Sequence, residues 1–391
     1  MRKKINVTVL AGFVSLLTFS ILLPGCGKKT EETETKAPQA LMIVFSTGAT
    51  ILRDGQKLAA DVGKLVLAGD TIKTEKGFVD LQTREGSAIR ISNFTTVAVA
   101  DLFQENTRLD MKHGTVIAKI ERSSSKENFS ITTPTAIAGV RGTTFKVEQF
   151  GENEPPRVKV MEGKVSMSPR ITILEKYSKE EIEKNPSLTK LSNIQENGEV
   201  ILEKEMEGTL SPEVEKQVKE VNSAIAAVMK EEKDLSKIET IQTVATLTTT
   251  VEKQKEKSVV VEKSPLDVQD VHQAGTLVSV SEEAFDKIIK NAEAEKNIVA
   301  VDELKKSHEE KRKQNQETII AKIEKEASSK QLKNEEEIKK QYNKLEMVIL
   351  KDGKKITGAV IATTDNVIVI HTKEGVQRVN KELVDSQEML Y

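Results

Sequence analysis

The sequence predicts a multidomain α+β chain, with an N-terminal all-β domain, a helical middle and a small β-barrel at the C-terminus. Three observations predict it. Short apolar runs alternate with period two between Gly-containing turns over residues 41–169. From Ile171 the apolar spacing changes to steps of three and four, the repeat of a helix. After Glu346 short β-branched runs return. The 391 residues allow more than one domain. A composition of 31% charged and 37% hydrophobic residues, with no Trp, suits small domains joined by solvated helices better than one large core.

The chain opens on Arg2-Lys3-Lys4, then an apolar run over 5–23, then Leu23-Pro24-Gly25-Cys26. This order reads as a bacterial lipoprotein signal peptide over 1–25, cleaved before Cys26. The thiol and the new amine of Cys26 would then carry palmitate-type acyl chains. An uncleaved membrane helix is the alternative, since the run is about long enough to span a bilayer. The only cysteine of the chain, set directly after Gly at the end of the run, favours processing. Each buried CH₂ contributes roughly 0.8 kcal/mol, so a diacyl or triacyl anchor is firm. Residues 26–40, Thr-rich and acidic with Pro38, read as a flexible tether. With one cysteine no internal disulfide is available, and packing must supply stability.

In the β region, Asp54-Gly55 inside the run 51–58 suits a two-residue type I′ hairpin turn. Asp70 and Asp80 read as hydrogen-bonding groups at turns or ladder ends rather than as metal ligands. His113-Gly114, flanked by Leu109, Met111, Thr115 and Ile117, reads as another hairpin. Phe78, Phe94, Phe103, Phe129 and Phe145 are spaced as core plugs. The densest signal is 132–147. Thr132 and Thr133 end a strand at Pro134, which cannot donate to a ladder. Gly139 and Gly142 bracket Val140-Arg141, where the backbone can bulge. Thr143, Phe145 and Val147 then share one strand face. Arg141 has two readings: a structural pair with a carboxylate or strand-end carbonyls, or recognition of an anionic partner through its planar fork.

Four of these segments recur in one order: Gly69-Asp70-Thr71-Ile72, Glu85-Gly86-Ser87, the stretch from Thr133-Pro134 to Val140-Arg141-Gly142-Thr143-Thr144-Phe145, and Glu162-Gly163-Lys164-Val165. Together they resemble the periplasmic domain of FecR-type proteins over 42–167. With the leader, the chain resembles a FecR-domain-containing bacterial lipoprotein of the spirochaete envelope type, although the motif match covers only about a third of the chain and leaves the rest unclaimed. The resemblance implies a FecR-like β domain over 41–169 and a role in envelope binding or signal relay. Gly69, Asp70, Pro134, Gly139, Arg141, Gly142, Thr143, Phe145 and Gly163 are the motif residues it marks, as structural or partner-binding. FecR-type regulators carry a cytoplasmic anti-sigma segment before a membrane span. Here the leader starts at Met1, so a direct grip on a sigma factor is not expected.

Residues 170–280 read as mixed helix and linker. Ser178 and Glu181 form a capping box, Asn185-Pro186 stops that helix, and Ser211-Pro212 opens another. Val214, Val218, Val221, Ile225 and Val228 make one helix stripe. Residues 240–251 are ambiguous, and 254–273 look like linker. Residues 281–345 form a charged helical region with stripes at Phe285, Ile288, Ile289, Ala292 and at Ile319, Ile320, Ile323, Ala327. The segment between them is too polar for a long coiled coil. It reads as a solvated arm with intrahelical ion pairs, or as a partner-binding helix. Residues 346–391, with turns at Asp352-Gly353, Asp365-Asn366 and Glu374-Gly375, supply five short strands and suggest an SH3- or Sm-like barrel.

Some function classes fall away. The net charge is −2, and no basic and aromatic residues interleave, so nucleic acid is not an expected partner. His113, His272, His308 and His371 share no helix turn, and no second Cys completes a thiolate site, so no metal or cofactor is expected. Without a nucleophile motif or phosphate loop, neither catalysis nor a small-molecule substrate is expected. The expectation is a lipid-anchored cell-envelope protein, held through acylated Cys26 in the outer membrane rather than the inner. Its FecR-like domain would bind or scaffold an envelope protein or wall polymer in the periplasm. The alternative is a sensory subunit that relays an envelope signal to a transmembrane partner.

Overall fold

In the computed structural model the described residues are 40–390, apart from 104–105, 122–127, 141, 152–153, 232–233, 254–257 and 293–297. The leader, Cys26, the tether as far as Gln39, and Arg141 lie outside them. The chain is a mixed α+β protein: a sheet-rich N-terminal region, helices in the middle and a five-stranded sheet at the C-terminus.

The N-terminal strands are β1 (Leu41–Ser46), β2 (Ala49–Arg53), β3 (Gln56–Ala59), β4 (Leu65–Val66), β5 (Thr71–Thr74), β6 (Val79–Gln82) and β7 (Ala88–Ile91). There follow β8 (Thr96–Phe103), β9 (Asn106–Lys119), β10 (Asn128–Thr132), β11 (Ala136–Val140), β12 (Thr144–Gln149), β13 (Arg157–Glu162) and β14 (Lys164–Pro169). Three later strands, β15 (Val200–Glu203), β16 (Met206–Leu210) and β17 (Val259–Lys263), join the same ladders.

The strands form two layers. The first runs β4-β1-β6-β7-β9-β12-β13-β16-β17. The second runs β3-β2-β5-β8-β9-β10-β11-β14-β15. Among the described residues only β9 and β10 pair in parallel. Strand β9 belongs to both layers. Residues 106–113 pair with β8 and β10, and residues 114–119 pair with β7 and β12. The hairpin expected at His113-Gly114 is therefore a bend inside one continuous strand. Gly114, at φ 108, allows the bend, and its missing side chain lets Thr95 approach. Phe145 and Phe129 plug the space between the layers edge to face, at 6.4 Å. Phe94 does not: it sits 58% exposed, with φ 51, in the turn before β8.

The first helices are α1 (Lys179–Lys184), α2 (Pro186–Asn197), α3 (Pro212–Glu231) and α4 (Gln242–Lys253). The Ser178 and Glu181 capping box starts α1, and Asn185 caps α2 with Pro186 in its first turn. Leu191, Val214, Val218, Val221, Leu247 and Val251 join the same buried cluster as Phe145 and Met167. The boundary expected at Pro169 thus does not divide the core, because the apolar stripes of these helices complete it. The expected linker likewise carries β17 and α5 (Val268–Thr276), whose Asp267 and Asp270 form a capping box.

Helices α6 (Glu282–Ala292), α7 (Ile298–Ser328) and α8 (Glu335–Tyr342) follow. The last strands are β18 (Glu346–Leu350), β19 (Lys355–Thr363), β20 (Val367–Thr372), β21 (Gly375–Asn380) and β22 (Val384–Met389). They pair antiparallel in the order β21-β20-β19-β18-β22 around Val348, Val360, Ile368 and Ile370. No pairing joins β21 to β22 among the described residues, so the expected closed barrel is an open sheet. Strand β19 pairs with β18 over Lys355–Gly358 and with β20 over Ala359–Thr363, the latter pairing carrying a register shift between Val360 and Ala362.

Candidate functional site

The motif residues hold the fold together. Asp70 is buried, accepts the Leu67 amide at 2.8 Å, and takes Arg53 through two nitrogens at 2.8 and 2.6 Å. That pairing holds the Arg53 guanidinium above its ordinary pKa. Gly69, at φ 92, donates its amide to Val99. Pro134 stands in the turn between β10 and β11. Gly139 faces Ser130 and Ser166, and a Cβ there would lie 3.0 Å from the Ser166 hydroxyl. Gly142 and Gly163 have φ 63 and 86, and a Cβ on Gly163 would meet the Gly142 carbonyl at 2.9 Å. Thr143 donates its hydroxyl to Lys164 O at 2.8 Å. These residues shape two adjacent turns and the core beneath them.

A different set of residues, of whose charged members the sequence singles out Asp80 as a turn or ladder-end group, gathers polar chemistry. On the first layer, alternate side chains point inward to the core: Val79 and Leu81, Ile89 and Ile91, Phe145 and Val147, Val158 and Val160. Their neighbours point outward, by the period-two rule. Strand register lines those neighbours up. Asp80 opposes Arg90, Arg90 opposes Ile117, Ile117 opposes Lys146, and Lys146 opposes Lys159. A row of four charged residues, interrupted at β9 by Ile117, thus crosses five strands, yet Asp80, Arg90 and Lys159 are each less than a tenth exposed.

Residues 264–288 and α7 cover the row. Arg90 grips Asp80 with two hydrogen bonds, at 2.7 and 2.6 Å, and donates to the Thr276 hydroxyl at 2.6 Å. Its guanidinium also lies 4.5 Å from the Phe78 ring centre, a cation–π contact. The Gln82 amide pairs with both backbone groups of Val280, donating at 2.9 Å and accepting at 2.6 Å. Lys146 and Lys159 both reach Asp270, and Lys159 also donates to Pro265 O. Burial disfavours the charge on Asp270, but the hydrogen bond from Lys159 and the charge of Lys146 outweigh it and hold the carboxyl below its usual range. Leu277 fills a pit formed by Ala88, Ile117 and Met161. Val280, Phe285 and Ile288 pack on Met42 and Val44 of β1.

Helix α7 connects this face to the C-terminal sheet. Arg312 stands 5.6 Å over the Phe45 ring and donates from one nitrogen, Nη2, to both carboxylate oxygens of Asp365, at 3.0 and 2.9 Å. Arg378 of β21 binds Glu317 and Glu324 of the same helix, which raises its pKa. Ile320 packs on Ala362 and Val369. The expected solvated arm is therefore a strut with one face on each sheet. Its sequence disguises that role, because the contacts are largely made by charged residues.

His308, 2% exposed, sits at the centre of the junction. Its ring stacks on Phe45 at 6.1 Å, and its Nε2 has no hydrogen-bond partner among the described residues. Burial lowers its pKa; Asp80 opposes this, while Arg312 and Arg90 reinforce it, and a hydrogen bond with the Val278 backbone resists it. Burial also lowers His272, against the pull of Asp365. A lowered histidine contributes stability that is fully present above the ordinary value of about 6.5. It is lost as pH falls below that value, because the undocked side chain takes up a proton that the docked one refuses. The melting temperature should therefore fall between about pH 7.5 and pH 5.5. In His308→Gln the fall should be shallower, with His272 and His371, both lowered by burial, supplying the remainder. Thermal melts across that range check it, and a slope unchanged by the substitution would refute the assignment.

The face belongs to the region that a known family covers. Residues 70–166 match the family described as FecR protein. The match takes in β5 to β13 and the first half of β14, and with them Asp80, Arg90, Lys146 and Lys159. No match was found among curated proteins. Two crystal structures of a "putative anti-sigma factor" from Parabacteroides distasonis are similar at 15% identity. One covers 36% of this chain and 55% of that chain with a TM-score of 0.27; the other covers 36% and 50% with 0.21. The chain spans about half the length of those structures. The polar row is thus a feature of the FecR-like region, whereas the segments that cover it lie outside the match. Among the described residues no group of three or more His, Cys, Asp or Glu could hold a metal ion, and no helix is long and apolar enough to cross a membrane.

Proposed function

We propose that this protein is a regulatory relay of the cell envelope, anchored by acyl chains on Cys26, whose FecR-like region passes a state through α7 to a membrane-spanning partner. The observation that carries the reading is the buried polar row of the FecR-like region, closed by a segment from outside it. A permanent core is sealed by apolar burial, while contacts between parts that move are more polar. Arg312 then couples the two ends, since it touches Phe45 and Asp365 together. The anchor follows from the leader and places the body at an envelope membrane, the outer one in this reading. A relay also agrees with the FecR match over 70–166. Regulation rather than catalysis is the proposed activity. The other reading, a scaffold that holds wall polymer or an envelope protein, requires no strut between the two sheets.

Photo-crosslinking in intact cells tests the relay. The parent chain should partition into detergent and crosslink to a membrane-spanning protein. Cys26→Ser should move to the aqueous phase and lose that crosslink. Capture of wall polymer alone by the parent would replace the relay with the scaffold, and Cys26→Ser that still extracts with membranes would overturn the anchor.

A further inference from the structure

We infer that the outer face of the first layer is a peptide-recognition surface, now occupied by residues 264–280 of the same chain and open to a partner segment of the same chemistry when they leave. This deepens the relay reading and rests on it, by naming the part that moves and what replaces it.

The contacts spell out what the face accepts. Lys146 and Lys159 converge on one carboxylate, that of Asp270. Two cations around one anion give a strong, charge-assisted site. Arg90 takes a hydroxyl, that of Thr276. The pit lined by Ala88, Ile117 and Met161 takes a leucine-sized side chain, that of Leu277. Gln82 takes backbone rather than a side chain, because its amide matches both the N–H and the C=O of Val280. The occupying residues 277–280 are outside helix and strand, yet Leu277, Val278 and Val280 are buried. Carboxylate, hydroxyl, apolar anchor and extended backbone, in the spacing of Asp270, Thr276, Leu277 and Val280, form a recognition pattern. Asp270 and Thr276 are presented by helix α5 and Val280 by the extended stretch after it, so the pattern joins a helical turn to a short extended segment, with backbone contacts for affinity and pockets for specificity.

The energetics allow exchange. Lys146, Lys159, Arg90 and Gln82 exchange their partners in this segment for water or for a partner peptide when it leaves, and α7, which holds the segment through Lys311 on Ser279 O and Asn315 on Gly275 O, releases it in the same step. Lys159 and Asp270, which would be costly to strand in a core, are stranded only if the face stays closed over one of them. The partner is therefore an acidic peptide segment of a membrane-spanning protein's extramembrane portion.

The experiment uses the chain from residue 40 to its C-terminus, which holds every described element, and a fluorescein-labelled synthetic peptide of residues 264–284. Asp270→Ala with Leu277→Ala weakens the internal occupant and leaves the face untouched. The peptide should bind this variant roughly tenfold or more tightly than the parent, since occupancy lowers apparent affinity by the fraction of open face. Adding Gln82→Ala and Lys159→Ala should abolish that binding. A folded double variant that ignores the peptide overturns the inference, as does binding that survives the face substitutions. Amide hydrogen exchange on the parent gives an independent readout in case the variant does not fold. The Val280 amide should open more readily than those of Ile89 and Ile91, which lie in the ladder beneath. Equal protection would show that segment and sheet open as one unit, and would end the proposal. Both measurements use purified protein without a membrane partner, so a missing crosslink in cells and a missing peptide complex are separate failures.

Discussion

Arg90→Ala is expected to destabilise the protein by about 3–5 kcal/mol, the cost of leaving one member of a buried ion pair behind. Asp80 is fully buried, and both of its carboxylate oxygens accept from Arg90. Without the guanidinium the carboxylate must either stay charged in a dry site or take up a proton. The Thr276 hydroxyl loses its donor, and the Phe78 ring loses its cation. The double substitution Asp80→Leu with Arg90→Met should recover most of the loss, because removing both charges removes the desolvation cost with the attraction. What the double variant should not recover is the hold on Thr276. Its sheets should melt close to the parent while the segment over them loosens. Urea denaturation of the single and double variants, with hydrogen exchange across 264–280, separates the two effects. Arg90→Ala within about 1 kcal/mol of the parent would mean that the pair behaves like a surface ion pair, and that the face is open to water.

The elements that sequence made legible are those whose cause is local. The Ser178 and Glu181 box, the Pro212 helix start and the stripe from Val214 to Ile225 all depend on neighbours within a turn or two. The same is true of Asp54-Gly55, where φ 48 and 78 match a type I′ turn. The candidate site was not legible, for a physical reason. Alternation in a strand tells which face a side chain occupies, and nothing about what lies over that face. Asp80, Gln82 and Arg90 alternate with Val79, Leu81, Ile89 and Ile91 as solvent-facing residues do. Their partners Thr276 and Val280 stand 186 and 198 residues further along the chain. Arg141, near glycines in the motif, carried a structural and a recognition reading instead, and it lies outside the described residues. Residues 259–263 were disguised in another way. Their flanking Lys and Glu read as linker, but Val259 lies in the buried cluster and the strand completes the β16 edge. The strut α7 was hidden because charged residues carry most of its bonds, and charge on a helix normally means solvent.

Gly114→Val is expected to have an effect of similar size, through geometry rather than charge. The position has φ 108, a conformation that costs a residue with a side chain roughly 1–3 kcal/mol. A Cβ there would lie 2.2 Å from the Thr95 hydroxyl oxygen and 2.5 Å from its Cα, so the neighbour cannot escape by rotating its side chain. Crowding of that kind adds about 1–3 kcal/mol where the backbone can shift. Here the backbone has little room to shift. Thr95 is buried, accepts the Thr115 amide through its hydroxyl, and receives the Thr74 side chain at its carbonyl. Gly55→Ala is the control, because Gly55 has φ 78 and a Cβ added there would meet nothing within 4 Å. Its loss should reflect conformational strain alone, and the excess in Gly114→Val should reflect the collision. The collision also acts at the point where β9 passes from one layer to the other. Its two halves carry Leu109 and Met111 into one layer, and Val116 and Ala118 into the other. Displacing Gly114 therefore loosens both layers at once, and the melt should lose cooperativity as well as temperature. If Gly114→Val melts with the Gly55→Ala control, the two halves of β9 are independent strands, and the register that aligns Ile117 with Arg90 and Lys146 is not fixed by this bend.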